Sequence, residues 1–457
     1  MSTVRILSDA PRWILLTALV FGPWFYGSTT EQGITALTWW LTVAVALWLI
    51  SALFRAGSAR HKQEKIPLPL TIASLVLLVL GWWMVLNGRA LYDGEFAMFV
   101  HLSNVATALP GSLDQAVSVA AMWRATVLLG TVCIVADACV DSRWLMRLCD
   151  VAAGTGGSIA LLGLVQKATH APMIFWREVD QPVTTFFGTY FYHGSAGAFL
   201  NLTLPLTIGL AVRAFQRREP VARALWLALA VVSVIAVFTN TSRMGHVVAL
   251  AILFVLAAVT LMKARTRRTR VRWHAVAAGG VALLLAAYAM TRSVDVERSL
   301  GRWEQAAEVI PLDARWTVTR IAFNALPESG WFGFGAGTFH VVFPYLTGGS
   351  SDARLSGFWR YLHQDYLQAL LEWGWIGAAL WGWIFFGGIA VGVMRLRSTG
   401  AETWKPRRRL LLPLIVLALA GVAAHAAVDF PLQIASIQLY AAVFVGICWS
   451  SRAWRAE

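Results

Sequence analysis

The chain has 457 residues, of which 58% are hydrophobic and 14% charged, with a mean hydropathy of +0.62. Soluble domains carry about a quarter charged residues, so this composition excludes a soluble globular class. The net charge of +14 suits a nucleic-acid binder only if it is gathered on one surface, and it is not.

Twelve apolar segments follow one another along the chain. They centre on 11–28, 34–54, 67–87, 117–139, 148–166, 194–213, 223–240, 244–262, 274–291, 363–394, 410–428 and 432–450. The runs "ITALTWWLTVAVALWLISALF" and "HVVALAILFVLAAVTLM" contain no charge. Each approaches the ~20 residues needed to cross ~30 Å of hydrocarbon. The expected architecture is all-α and polytopic, with about 12 transmembrane helices. Helices one to nine occupy 1–291, a long loop with short helices occupies 292–362, and helices ten to twelve occupy 363–457.

The first segment, with Arg5 and Arg12 ahead of an apolar run, resembles a signal peptide. "FGPWFYGS" is bulky and offers no small-x-small cleavage pattern, so an uncleaved span is expected. With the N-terminus assigned to the cytoplasm, the cytoplasmic segments hold 26 Lys and Arg and the external ones 11. "KARTRRTRVR" and "KPRRR" then read as positive-inside anchors rather than a nucleic-acid surface. An even number of spans places both termini in the cytoplasm. Cys133, Cys139, Cys149 and Cys448 lie in or beside apolar segments without CxxC spacing, which gives neither a disulfide framework nor a metal site.

Three external loops are long: 88–116, 167–193 and 292–362. The last holds seven Arg and seven acidic residues, so it is not a basic patch. In "SLGRWEQAAEVI", Leu300, Trp303, Ala307 and Ile310 recur at helical spacing and predict an amphipathic helix. "DARWTVTRIAFNAL" predicts a second, capped by Asp313 and ended by Pro327. "GFGAG" reads as a tight turn.

Polar residues near the membrane mark function. Arg243 lies in the short external turn "FTNTSRMGHVV", where positive-inside topology disfavours arginine; an anion site or an arginine snorkelling at the interface both explain it. Arg315 and Arg320 are five residues apart and point about 140° from each other on a helix. They cannot both face one ligand, and spacing does not choose between them. His363 opens the tenth span. Near a helix N-terminus the dipole disfavours its imidazolium and leaves a neutral ring able to accept a proton; a helix-capping histidine is the alternative. Asp365, Gln368 and Glu372 share one helical face, away from His363. Arg124 and Asp137 are intramembrane polar groups whose partners the spacing does not reveal. No histidine pair has zinc spacing, so no metal and no cofactor is expected.

Four stretches resemble the O-antigen ligase family, which also holds O-antigen and exopolysaccharide polymerases. They are "FGTYFYHGSAGAFLNLTLPL", "TSRMG", "ARWTVTRIAFNALPESGWFGFGAGTF" and "HQDYLQALLEWGWIG", spanning about 187–380. The chain differs in having Tyr190, Tyr192 and His193 where the family commonly has asparagines, and in having Met244 between the turn's Arg and Gly. The resemblance implies a GT-C-like, metal-independent, inverting glycosyltransferase of the bacterial inner membrane with a periplasmic active site. It implies undecaprenyl diphosphate as carrier of the donor glycan, and lipid A core or a second lipid-linked glycan as acceptor, among membrane lipids. It maps two essential arginines onto Arg243 and Arg315 and an essential histidine onto His363. Substrate contacts are expected from Arg243, Arg315, Arg320, Tyr192 and His193. The rival of another class is a secondary transporter, which would gather its polar residues at the midplane, often in repeats. A lipid-accessible groove ending at Arg243, Arg315 and His363 would favour transfer.

Overall fold

The computed structural model describes residues 3–56, 66–93, 95–96, 98–103, 105–180, 185–217, 219–266, 297–305, 313–348, 355, 358–398 and 403–454. Its helices are α1 (Thr3–Trp24), α2 (Glu31–Ala56), α3 (Leu68–Leu86), α4 (Gln115–Ala138), α5 (Ser142–Ala168), α6 (His193–Arg217), α7 (Pro220–Thr239) and α8 (Arg243–Thr266). Within the long loop expected at 292–362 come α9 (Glu297–Glu304), α10 (Ala314–Asn324), α11 (Leu326–Ser329) and α12 (Phe339–Leu346). The last three are α13 (Asp365–Arg397), α14 (Pro406–Ala426) and α15 (Ala435–Ser450).

Among the described residues nine helices are long and apolar enough to cross a membrane: α2 to α8, α13 and α14. The expected first span is the helix α1, outside that count. The expected twelfth is α15, which has 16 residues and is almost wholly buried. The expected ninth, 274–291, lies outside the described residues. The loop 88–116 departs from the all-α expectation. It forms an antiparallel hairpin, β1 (Ala90–Asp93) with β2 (Met98–His101), in which Tyr92 faces Phe99. Asp93 holds the turn by accepting from the amides of Glu95 and Phe96, a local bond that favours a turn over a helix.

Burial separates central helices from peripheral ones. In α6, 89% of the apolar window is buried, against 28% in α2, α7, α8 and α13. α6 packs against α5, α7, α8 and α14, while α15 packs against α4, α13 and α14. Small residues permit this approach, as lipid supplies little hydrophobic drive between helices. A Cβ on Gly156 of α5 would lie 2.2 Å from Thr203 of α6, and one on Gly446 of α15 would lie 2.8 Å from the Val132 carbonyl of α4.

Several of the expected polar groups find partners in the structure. Asp137 faces Arg12 at 3.7 Å and accepts from the Trp48 indole at 3.4 Å. Asp313 caps α10 by accepting from the Arg315 amide at 3.0 Å. Glu372 accepts from the Gly337 and Phe339 amides and from Gln368. Asp365 accepts from the Leu432 amide at 2.8 Å and from Gln433 at 3.1 Å. The shared face of Asp365, Gln368 and Glu372 therefore fastens neighbouring segments.

α13 is broken at Gly374, whose backbone sits at φ +62 and ψ −174. The break frees two carbonyls and an amide, and the segment 331–335 supplies their partners. Phe334 N–H donates to Leu371 O at 2.8 Å, Gly335 N–H donates to Glu372 O at 3.0 Å, and Ile376 N–H donates to Trp331 O at 3.1 Å. Irregular backbone is tolerated at such depth because protein groups satisfy it. A Cβ on Gly374 would also lie 2.4 Å from the Phe332 nitrogen. Gly374→Ala is therefore expected to destabilise by more than the ~1–2 kcal/mol of a left-handed residue alone. A clear fall in the unfolding temperature of the detergent-solubilised protein checks this; an unchanged temperature contradicts it.

Candidate active site

The helix α13 begins at Asp365, after His363 rather than at it. Gln364 is its N-cap and accepts from the Leu367 amide. His363 itself adopts φ +60, a left-handed conformation that is uncommon outside glycine. The ring therefore leaves the helix and turns toward the segment between α14 and α15.

There it meets Asp429. His363 Nδ1 lies 3.0 Å from Asp429 Oδ1. The opposite oxygen accepts from the Tyr192 hydroxyl at 3.0 Å, and the His425 ring lies 3.7 Å from it. The Phe430 amide adds a donor to Oδ1 at 3.1 Å. Asp429 is 5% exposed. Burial alone raises its pKa, but the His363 and His425 rings outweigh burial and hold the carboxyl well below its ordinary value. Asp429 is thus ionised and accepts, so His363 Nδ1 carries the proton and Nε2 keeps a lone pair. For His363, burial is the largest influence. With Arg315 it outweighs the Asp429 hydrogen bond and lowers the pKa below the ordinary 6.5. The ring is neutral at neutral pH and 17% of it is exposed.

Tyr192 links this pair to Arg315, whose Nη2 donates to the Tyr192 hydroxyl at 3.1 Å. Burial raises the phenol's pKa, and Asp429 adds to it, so Tyr192 stays protonated. Gly194 makes room for the contact: a Cβ there would lie 2.3 Å from both Asp429 Oδ2 and the Tyr192 ring. Arg315 also faces Asp313 at 3.8 Å. Arg320 lies on an exposed part of α10, and no hydrogen bond or ion pair joins it to these groups among the described residues.

Cations gather on the other side of Tyr192. The charges acting on His193 are Arg302, Asp429, Arg315 and Arg243. Arg302 Nη1 donates to His193 Nε2 at 3.0 Å. Its neighbour Trp303 donates to His246 Nδ1 at 2.9 Å, and His246 Nε2 donates to the Asn240 carbonyl at 2.6 Å. Asn240 closes the ring by donating to the His193 carbonyl at 2.9 Å. α9 is thereby docked on the turn between α7 and α8. That turn packs on α6 at Gly197, where a Cβ would meet Asn240 and Ser242 at 3.0 and 3.1 Å. Arg243 has no hydrogen-bond or ion-pair partner among the described residues. The site thus holds Arg243, Arg302 and Arg315 against Asp429 and Asp313, an excess of cations.

The structure brings together His363, Arg315, Tyr192, His193 and Arg243 from four separate segments. Asp429 and Arg302 complete the cluster and are absent from the sequence expectation. Arg302 sits in the predicted loop helix beside Trp303 of its apolar stripe, which makes it read as a solvated side chain. Asp429 lies two residues before Pro431, and the intramembrane position of its neighbours was the available signal. A cavity of about 500 Å³ lies between α4, α13 and α15, and Arg243, Arg315 and His363 are not among its walls. The expected groove ending at those three residues is therefore not this cavity.

Residues 228–382 match the family model described as O-antigen ligase. The matched segment holds Arg243, Arg302, Arg315 and His363, while Tyr192, His193 and Asp429 lie outside it. No curated protein matches the chain closely enough to count as a relative. Over the segment 228–382, about a third of its length, the chain is similar to the O-antigen ligase family.

Proposed function

We propose that this protein transfers a glycan from undecaprenyl diphosphate to an acceptor hydroxyl at the periplasmic face of the bacterial inner membrane, with both termini cytoplasmic. The acceptor in the favoured reading is a sugar of the lipid A core, which makes the chain an O-antigen ligase. A polymerase that joins two lipid-linked repeats is the second reading, since the same family holds both. The observation that carries the proposal is the His363 imidazole, its Nδ1–H held by buried Asp429, joined through Tyr192 to Arg315, with Arg302 bound to the neighbouring His193 and Arg243 acting on that same ring.

The reaction needs two things, and the cluster offers each. A diphosphate leaving group gathers negative charge as the sugar–oxygen bond breaks. Arg243, without a hydrogen-bond or ion-pair partner among the described residues, would hold that charge together with Arg315 and Arg302. Planar guanidiniums bind phosphate bidentately, and preorganised donors cost no reorganisation during the reaction. The attacking hydroxyl must also lose its proton. His363 Nε2 accepts it as general base, and Asp429 stabilises the imidazolium that forms. Attack in one displacement inverts the anomeric centre. The transporter reading is weaker because these residues gather at helix ends on one side of the bundle, without a repeat.

Variants, pH profiles and a reconstituted assay test this reading. His363→Ala is expected to keep lipid-linked donor binding and to lose transfer by about 10²- to 10⁴-fold; wild-type transfer contradicts the base assignment. Arg243→Lys is expected to lower kcat/KM for the donor at least about tenfold, because an ammonium cannot reproduce the fork. Unaltered kinetics there would leave Arg243 a snorkelling residue. The pH profile follows from the His363 shift. The neutral ring is the active form and burial lowers its pKa below that of an ordinary imidazole, so activity rises with pH along an acid limb displaced to lower pH than a free histidine would give, and then levels off. Asp429→Asn removes the group that favours the imidazolium. The acid limb should then move to still lower pH while the plateau falls on the order of 10²-fold. A limb that stays in place separates Asp429 from the base. Giving one reconstituted donor a choice of lipid A core or a second lipid-linked glycan distinguishes ligase from polymerase.

A further inference from the structure

The cavity between α4, α13 and α15 has a chemistry that the proposed transfer does not use. Its volume of about 500 Å³ falls within the ~300–1,000 Å³ of small-molecule sites. Its walls are mostly apolar: Leu128, Leu129 and Val132 come from α4, Phe385 from α13 and Val445 from α15. Trp375 and Phe386 also line it, and they are 50% and 46% exposed on the outside of the bundle. On a membrane protein that outer surface faces hydrocarbon, so the cavity communicates with the lipid.

One charged side chain stands out in it. Arg124 of α4 lines the cavity and has no hydrogen-bond or ion-pair partner among the described residues. The charges that act on it are those of Glu372, Tyr361 and Arg360. Glu372 does not supply a direct pair, because its carboxylate is already taken by two backbone amides and Gln368. Asp365, the other carboxylate on the wall, is likewise taken, by the Leu432 amide and Gln433. A guanidinium carries five N–H donors, and leaving them unmet at membrane depth is costly. A carboxylate or phosphate group would meet them bidentately.

We propose that this cavity binds one hydrocarbon chain of an anionic membrane lipid, with the lipid's phosphate on Arg124. The site is separate from the transfer cluster and does not rest on the function proposed for it. Apolar walls take the chain, the exposed Trp375 and Phe386 mark its entry from the bilayer, and Arg124 selects for charge.

The test uses the full chain in phosphatidylcholine nanodiscs that contain a minor share of phosphatidylglycerol with a photoreactive group on one chain. Cross-links should map to peptides of α4, α13 and α15 that line the cavity. The matching phosphatidylcholine probe should label them weakly. Arg124→Gln should reduce phosphatidylglycerol labelling about tenfold, the loss of one charge-assisted contact. Ala442→Phe, which keeps Arg124 and fills space at the wall, should also reduce it, with monodispersity on size exclusion reporting the fold of each variant. Equal labelling by the two lipids overturns the proposal, as does undiminished labelling of both variants. Displacement of the probe by excess inorganic phosphate also overturns it, since it assigns the cavity to a free anion.

Discussion

The Asp429 carboxylate organises the end of the helix bundle that carries His363. One oxygen meets the His363 ring and the Phe430 amide, and the other takes the Tyr192 hydroxyl. These contacts join the start of α6, the residue before α13 and the turn after α14. An isolated charge buried to this degree is costly, so the site depends on every donor being present. The same arrangement fixes chemistry. An acceptor-only carboxylate sets the His363 tautomer, and the tautomer decides which nitrogen can receive a proton. Through Tyr192 the carboxylate also reaches Arg315, so the proposed base and the proposed anion-binding side are held in one network.

Backbone geometry makes that network possible. His363 holds a left-handed conformation immediately before the N-cap of α13, which turns its ring away from the helix face that carries Asp365, Gln368 and Glu372. Strain at one residue persists when surrounding contacts over-determine it. Here Leu362 is held by Gln368, Asp365 by the segment 432–433, and the ring by Asp429. Gly194 contributes by absence, since a methyl group there would fall on the Asp429–Tyr192 contact. Glycine and strained histidine are thus two sides of one requirement, that three chain segments approach within hydrogen-bond distance.

Much of this was legible in the sequence, for physical reasons that differ by feature. The apolar runs predict membrane helices because hydrocarbon leaves the backbone few alternatives. The Asp313 cap was legible because capping is local. The shared face of Asp365, Gln368 and Glu372 was legible because a helical wheel needs only spacing, whereas His363 stands before the helix, where the wheel does not apply. Asp429 was not, because it pairs across 66 positions and no local pattern announces such a partner. The hairpin at Ala90–His101 was missed because a short alternating run in a loop competes poorly with the surrounding helical signal. Arg302 was missed because the helical stripe containing Trp303 explains the segment by itself; its role emerges only when Trp303 is seen docked on His246.

The electrostatic pattern separates the two arginine environments of the molecule. At the transfer cluster, cations lie among carboxylate, phenol and imidazole at the helix ends, where a multivalent anion can be exchanged with water nearby. At Arg124 a single cation stands at the wall of an apolar cavity, and the neighbouring carboxylates are already occupied. The first arrangement suits a ligand whose charge increases during a reaction, because several donors can share it. The second suits a ligand that brings one charge and a long apolar body and then stays. Glu372 lies between the two levels: it acts on Arg124 and also holds the Gly337 and Phe339 amides of the glycine turn. That turn in turn satisfies the carbonyls opened by the break at Gly374. An anion seated on Arg124 would therefore offset the cation that Glu372 now senses.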